Sequence, residues 1–218
     1  ELSDRALALA RDGALLEVAP SVVCAAAARA GQAGESMLGR ERIAPTDVST
    51  DHWSTLARTP DDSAALQTAA AELRERVQRA GLPPACPAEL LTAAPFDGRN
   101  LGVVLTLAAA AGLRVTGFRD AAVLTAAALD AAGDALIAEL GLHHVAVTRV
   151  TRAASGWARS GQALTTKQGG WIDLQQRWLA LAAEAFVLRT RFDPLHDART
   201  EQQLYDALPA ALAQAARE

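Results

Sequence analysis

The chain has few aromatic residues, few cysteines and almost no lysine. Aromatic residues make up 4% of its 218 residues, and two cysteines, Cys24 and Cys86, do not make a disulfide framework. Lys167 is the single lysine, so arginine supplies the other 20 of the 21 basic residues. The formal net charge of −4 excludes the basic surface that is typical of nucleic-acid-binding proteins.

Long hydrophobic runs are also missing, although half of the residues are hydrophobic. The longest uncharged apolar stretch is 101–113, well short of the roughly 20 residues that a membrane-spanning helix needs. No secretory signal is visible. These absences predict a cytoplasmic globular protein without a membrane span.

The N-terminal part of the sequence predicts a β-meander followed by a long helix. Residues 5–10 and the segment after Asp12-Gly13 have strand character, and an Asp-Gly pair between two strands favours a hairpin. A helix is expected to begin near residue 61 and to end at Gly81, which two prolines follow. The residues expected to form its buried stripe are Leu66, Leu73 and Val77.

The region between residues 89 and 132 predicts a β-α-β-α pattern. Short apolar strands at 89–93 and 113–118 alternate with helices at 98–112 and 120–132. Such alternation is typical of parallel strands in an α/β domain.

Residues 133–218 predict a second meander and two more helices. Apolar residues in the helix expected at 171–191 are spaced alternately by four and three positions, which indicates one buried face. They are Leu174, Trp178, Leu181, Ala185 and Leu188. The last helix, at 198–217, is amphipathic, with Leu204, Leu208 and Leu212 spaced by four on its apolar face. If the second lobe is incomplete, this face is expected to be open to a partner helix.

This order of elements resembles the ATPase domain of DnaK-type heat-shock chaperones and, more distantly, the bacterial actin MreB. The longest match is 87–129, in which Pro95-Phe96, the Ala-Gly-Leu at 111–113 and the TAAAL at 125–129 stand at the family's spacing. The resemblance implies an α/β, actin-like (ribonuclease H-like) ATPase fold of two lobes. Their expected ranges are 1–132 and 133–218. The family's late glycine-rich adenosine motif has no match here, so the second lobe is expected to be incomplete.

Three further matches fall on loops that surround the nucleotide in the family. The start of the chain resembles the first phosphate loop, and ELGLHHVAV at 139–147 resembles the second, a glycine turn whose N–H groups hold the phosphates. Residues 165–186 resemble a later segment that begins with a glycine pair. The positions that the resemblance assigns to nucleotide binding are Glu1, Ser3, Asp4, Arg5, Glu139, Gly141, Leu142, His143, Gly169 and Gly170.

Several of these positions carry residues that do not suit a phosphate. Leu142 and His143 replace glycines, which fills the space where backbone N–H groups would converge on an anion. Asp4 adds a negative charge where the phosphates would lie. The family's catalytic lysine is expected between residues 40 and 60, where the only cations are Arg40, Arg42 and Arg58. ATP or ADP with magnesium is therefore expected to bind weakly or not at all.

The adjacent His143 and His144 do not predict a metal site. Neighbouring residues of a strand point to opposite faces of the sheet, so the two rings cannot jointly hold one ion. The sequence accordingly assigns no metal ligand and no catalytic residue.

Three functions remain open from the sequence. The first is a degenerate pseudo-ATPase that acts through protein–protein interaction with a partner or client that the sequence does not identify. The second is a functional, chaperone-like ATPase that binds Mg-ATP. The third is an MreB-like structural scaffold, which would assemble reversibly as its concentration rises.

Overall fold

The structure is a computed structural model that describes residues 6–20, 23–24, 42–50, 63–93 and 98–217. Within these residues it is a mixed α/β protein, which confirms the predicted class. No helix in this part of the chain has the length and hydropathy that crossing a bilayer requires. The predicted first phosphate loop lies outside the described residues, with its positions Glu1, Ser3, Asp4 and Arg5.

The N-terminal hairpin forms as predicted. Strand β1 (Ala6–Arg11) pairs antiparallel with β2 (Ala14–Pro20). Asp12 and Gly13 join them with φ angles of 52° and 79°. Two successive residues in the left-handed region are what a tight hairpin turn needs, and Asp and Gly are among the residues that adopt it most readily.

The predicted N-terminal meander does not continue into a third strand paired with β2 in the described residues. In the described part of the chain, β3 (Val23–Cys24) pairs antiparallel with β4 (Val48–Ser49) and not with β2. A 3-10 helix at Pro45–Asp47 leads into β4. This pairing brings the segment at 42–50 into the fold.

The long helix and the β-α-β unit share one hydrophobic core. The elements are α1 (Ser63–Arg79), β5 (Cys86–Thr92), α2 (Gly98–Ala110) and β6 (Leu113–Asp120). Strands β5 and β6 are parallel, as predicted. The predicted stripe of α1 is also confirmed, because Leu73 and Val77 are buried and Leu66 packs against the same cluster.

Helix α3 packs on the antiparallel sheet that follows it in sequence. It begins after Asp120, whose carboxylate accepts hydrogen bonds from the first-turn N–H groups, and it ends before Asp130, which has a φ of 44°. The new elements are α3 (Ala121–Ala128), β7 (Ala135–Leu140), β8 (Val145–Ala153), β9 (Gly156–Arg159) and β10 (Leu164–Thr166). The other three strands all pair with β8. The predicted division into lobes at residues 132 and 133 stays a prediction.

The last two helices, α4 (Trp171–Thr190) and α5 (Ala198–Ala215), pack against each other. The buried positions of α4 are Gln175, Leu179 and Ala183. The stripe predicted to be buried is therefore wrong in its C-terminal half: Leu181 is 62% exposed and Leu188 is 78% exposed. The open apolar face expected on α5 is also wrong, since Leu208, at the centre of that face, is buried.

Candidate functional site

The turn between β7 and β8, residues 141–144, is the stretch in which the sequence predicts a phosphate-binding turn. The N–H of Gly141 donates to the carbonyl oxygen of His144 at 2.9 Å, which closes the turn on itself. In a phosphate loop, successive N–H groups point outward to a shared anion. Here the first of these groups is used inside the turn.

The start of α4 is bonded to the same turn. The N–H of Trp171 donates to the carbonyl oxygen of Gly141 at 2.9 Å, and the N–H of Ile172 donates to that of Leu142 at 3.1 Å. The first N–H groups of a helix have no partner within the helix, and for that reason they often bind anions. In this protein the carbonyl oxygens of the turn accept these hydrogen bonds in place of an anion.

The glycine pair before α4 makes this close approach possible. A Cβ atom on Gly170 would lie 2.5 Å from the carbonyl oxygen of Leu142 and 2.7 Å from the backbone nitrogen of His144, so no side chain fits there. Gly169 has a φ of 82°, which favours glycine, and its N–H donates to the Asp173 carboxylate at 2.7 Å. The structure thus brings Gly169 and Gly170 to the predicted turn, and it gives both of them a structural task.

His143 connects the turn to the segment at 42–50. Its Nε2 lies 2.8 Å from the hydroxyl oxygen of Thr50, directly after β4. Both side chains are half-buried. The contact holds the imidazole within the protein, in the place where the resemblance expects a glycine.

Glu139, another of the positions that the resemblance assigns to nucleotide binding, is half-buried on β7. It stands opposite Ala146 of β8. On β7, Glu139 lies two positions after Ile137 and four after Ala135. Both of these residues pack against a cluster that contains Ala122 and Ala126 of α3. Every second residue of a strand points to the same face of the sheet, so Glu139 lies on the face that α3 covers.

Arg42 is the only one of the three arginines between residues 40 and 60 that the structure describes. Its Nη1 lies 3.3 Å from the Glu201 carboxylate of α5, and its side chain is 16% exposed. The guanidinium also lies 4.9 Å from the centre of the Tyr205 ring, a cation–π contact. The guanidinium of Arg42 therefore contacts an acidic and an aromatic side chain of α5.

Several of these contacts were not predicted from the sequence. Thr50 and Tyr205 have no motif around them. Tyr205 donates from its hydroxyl to the Gln175 side-chain oxygen at 3.2 Å, which gives a buried amide of α4 a partner. Tyr205 is the single tyrosine of the chain, and this rarity is the feature of the sequence that could have drawn attention to it.

Neither metal-ligand geometry nor similarity to known proteins adds a further assignment. Among the described residues, no group of three or more His, Cys, Asp or Glu side chains is placed to hold a metal ion. No protein-family model matches the chain, and no curated protein matches it at a significant level.

Proposed function

We propose that this chain is a divergent DnaK-type, actin-like ATPase-fold protein that does not hydrolyse ATP and acts by binding another protein. Its affinity for nucleotide is weak or absent. The observation that carries the proposal is the internal hydrogen bonding of the 141–144 turn and the start of α4.

The first support is the occupation of the N–H donors. Three N–H groups, those of Gly141, Trp171 and Ile172, donate to carbonyl oxygens within the protein. A phosphate at this turn would have to displace these bonds, each contributing on the order of 1 kcal/mol to stability. The free energy gained by binding the anion would be reduced by the loss of these three bonds.

The second support is the position of Arg42, the one arginine between residues 40 and 60 that the structure describes. Phosphoryl transfer depends on positive charge that neutralises the phosphate oxygens. Arg42 lies beside Glu201, and its backbone N–H also donates to the Gln202 side chain at 2.9 Å. Moving the guanidinium to a nucleotide would leave the Glu201 carboxylate without this ion pair.

The test is a calorimetric titration of the protein with Mg-ATP and Mg-ADP, with folding established by circular dichroism. Titration with magnesium chloride alone is the control, because it subtracts any heat from the metal. We expect no heat beyond that control and no release of inorganic phosphate from ATP. A nucleotide dissociation constant in the micromolar range or tighter would overturn the proposal in favour of a functional Mg-ATP-binding protein.

A further inference from the structure

A groove lies between helix α2 and the first residues of strand β6. Leu105 and Ala109 line it from α2, and Leu113, Arg114 and Val115 line it from β6. Its volume of about 460 Å³ is in the usual range for binding sites, and its lining is apolar except for Arg114. Leu105 is 40% exposed at this groove. An occupant would therefore bury apolar surface that the described part of the chain leaves uncovered.

Two further lining residues, Ala85 and Gly112, are joined by a backbone hydrogen bond. The N–H of Ala85 donates to the carbonyl oxygen of Gly112 at 2.7 Å. Both residues have positive φ angles, 55° for Ala85 and 84° for Gly112, and alanine adopts this region rarely because of its Cβ atom. Strained backbone of this kind is concentrated at binding sites. It marks the groove as a candidate site.

Strand β6 offers its outer edge to an occupant of the groove. In the described part of the chain β6 pairs only with β5. Successive side chains of a strand point to opposite faces, so a groove lined by three consecutive residues of β6 follows the edge of that strand. An edge strand presents N–H and C=O groups to which an extended peptide can pair as a new strand. Such a peptide would form main-chain hydrogen bonds with β6 while its side chains contact α2.

The charges on β6 indicate the chemistry of that peptide. Arg119 donates from Nε and Nη2 to the two carboxylate oxygens of Glu89, at 3.0 and 2.8 Å. Arg114 is exposed and forms no ion pair within the residues that the structure describes. A second copy of β6 would not supply a carboxylate, because its only acidic residue, Asp120, caps α3 and pairs with Arg159. The carboxylate opposite Arg114 has to come from a different protein.

We propose that the groove between α2 and β6 binds an extended segment of a partner protein, which adds to the outer edge of β6 with the pattern apolar–acidic–apolar. Leu113 is buried and Val115 half-buried, while Arg114 between them is exposed. In an added strand, the residues opposite Leu113 and Val115 enter the groove, and the residue opposite Arg114 meets its guanidinium. The proposal names the partner chemistry for the interaction function proposed above and rests on that function for its role.

The first test is selection of random heptapeptides, displayed on phage, against the full chain. We expect enrichment of the pattern apolar–acidic–apolar. The synthetic peptide is expected to bind with a dissociation constant of about 10–100 µM, measured by fluorescence anisotropy. No enrichment, or enriched sequences without the central acidic residue, would overturn the proposal.

The second test exchanges the charge on β6. Arg114→Glu is expected to weaken binding of the selected peptide at least about tenfold, and to favour the same peptide with lysine at its central position. Arg189→Glu on α4 is the matched control, because Arg189 is also an exposed arginine, and it should leave the affinity unchanged. An Arg114→Glu variant that binds the acidic peptide as well as the unmodified protein does would contradict the assigned contact.

The third test concerns the groove and the added strand. Ala109→Phe fills the groove from an exposed position of α2, and we expect it to weaken peptide binding at least about fivefold. Ala180→Phe, at an exposed position of α4, is the control. The bound peptide should also slow amide exchange along β6, because strand addition uses its outward N–H groups. Binding without this protection would rule out strand addition.

Calorimetric titration of the same samples with Mg-ATP keeps the two proposals apart. None of the positions assigned to nucleotide binding lines this groove. Failure of the peptide to bind, without heat from nucleotide, would overturn the groove proposal alone. Peptide binding together with tight nucleotide binding would overturn the pseudo-ATPase function and support the groove.

Discussion

Helices α1 and α4 have similar apolar periodicity but bury different faces. On α1 the periodic residues enter the core: Leu73 is 2% exposed and Val77 is 5% exposed. On α4 the periodic residues of the second half face outward, and the buried face holds Gln175 beside Leu179 and Ala183. Periodicity therefore identifies residues that share a face, but it does not identify the face that the fold covers.

The difference has a physical cause at the start of α4 and at its contact with α5. The first N–H groups of α4 are fixed by the carbonyl oxygens of Gly141 and Leu142, and this sets the rotation of the helix about its axis. Tyr205 of α5 then supplies a donor to the Gln175 side chain. A buried amide with a partner costs little, so the polar face can lie inward.

Alanine substitution of one leucine in the apolar stripe of each helix tests the comparison of α1 with α4 directly, and it has the largest expected effect on stability. Leu73→Ala removes a buried side chain and leaves a cavity, so we expect the free energy of unfolding to fall by about 4 kcal/mol. Leu181→Ala removes an exposed side chain and should change it by less than about 0.5 kcal/mol. Both values come from chemical denaturation at a concentration at which the protein is monomeric. Equal losses would mean that α4 buries its apolar stripe after all.

The pH dependence of stability sharpens the comparison, because α1 buries a carboxyl group. Burial raises the pKa of Glu72 from 4.5 to about 7, while the charge of Arg76 lowers it and that of Glu75 raises it. The folded state thus holds this proton more tightly than the unfolded state does. The contribution of Glu72 to the free energy of unfolding is highest below the unfolded pKa and falls as pH rises through the folded pKa, by about 3 kcal/mol in total.

Glu72→Gln isolates this contribution. The variant cannot ionise, so its stability relative to the unmodified protein should rise between about pH 5 and pH 8. Glu184→Gln is the control, because that carboxylate is exposed on α4. A constant difference between the Glu72 variant and the unmodified protein across this range would contradict the prediction.

Glycine substitution tests the contact that sets the rotation of α4. Gly170→Ala brings a Cβ within 2.5 Å of the Leu142 carbonyl oxygen, so the turn or the helix must shift. We expect a loss of about 2 kcal/mol, measured by denaturation, together with faster amide exchange at Trp171 and Ile172. Gly102→Ala in α2 is the control. A Cβ there meets nothing within 4 Å, and a gain of about 1 kcal/mol is expected from the better helix former.

The parts of the fold that could be predicted from the sequence depend on local signals. The Asp12-Gly13 turn and the β5-α2-β6 unit follow from turn chemistry and periodicity within short windows. The task of Gly170 could not be predicted, because it depends on a turn that is distant in sequence. The same holds for Arg42, whose partner Gln202 lies 160 positions away. A sequence without aligned relatives carries no signal for such pairs.

The smallest expected effect concerns the buried amide of α4. Tyr205→Phe removes the hydroxyl that lies 3.2 Å from the Gln175 oxygen but keeps the aromatic ring beside Arg42. We expect a loss of about 1 kcal/mol, because the buried amide oxygen loses its donor. Gln175→Met keeps the size of the side chain without that oxygen, so the double variant should lose less than the two single losses added together. Additive losses would mean that Gln175 does not depend on Tyr205. The inward polar face of α4 would then be set by the backbone hydrogen bonds at its start alone.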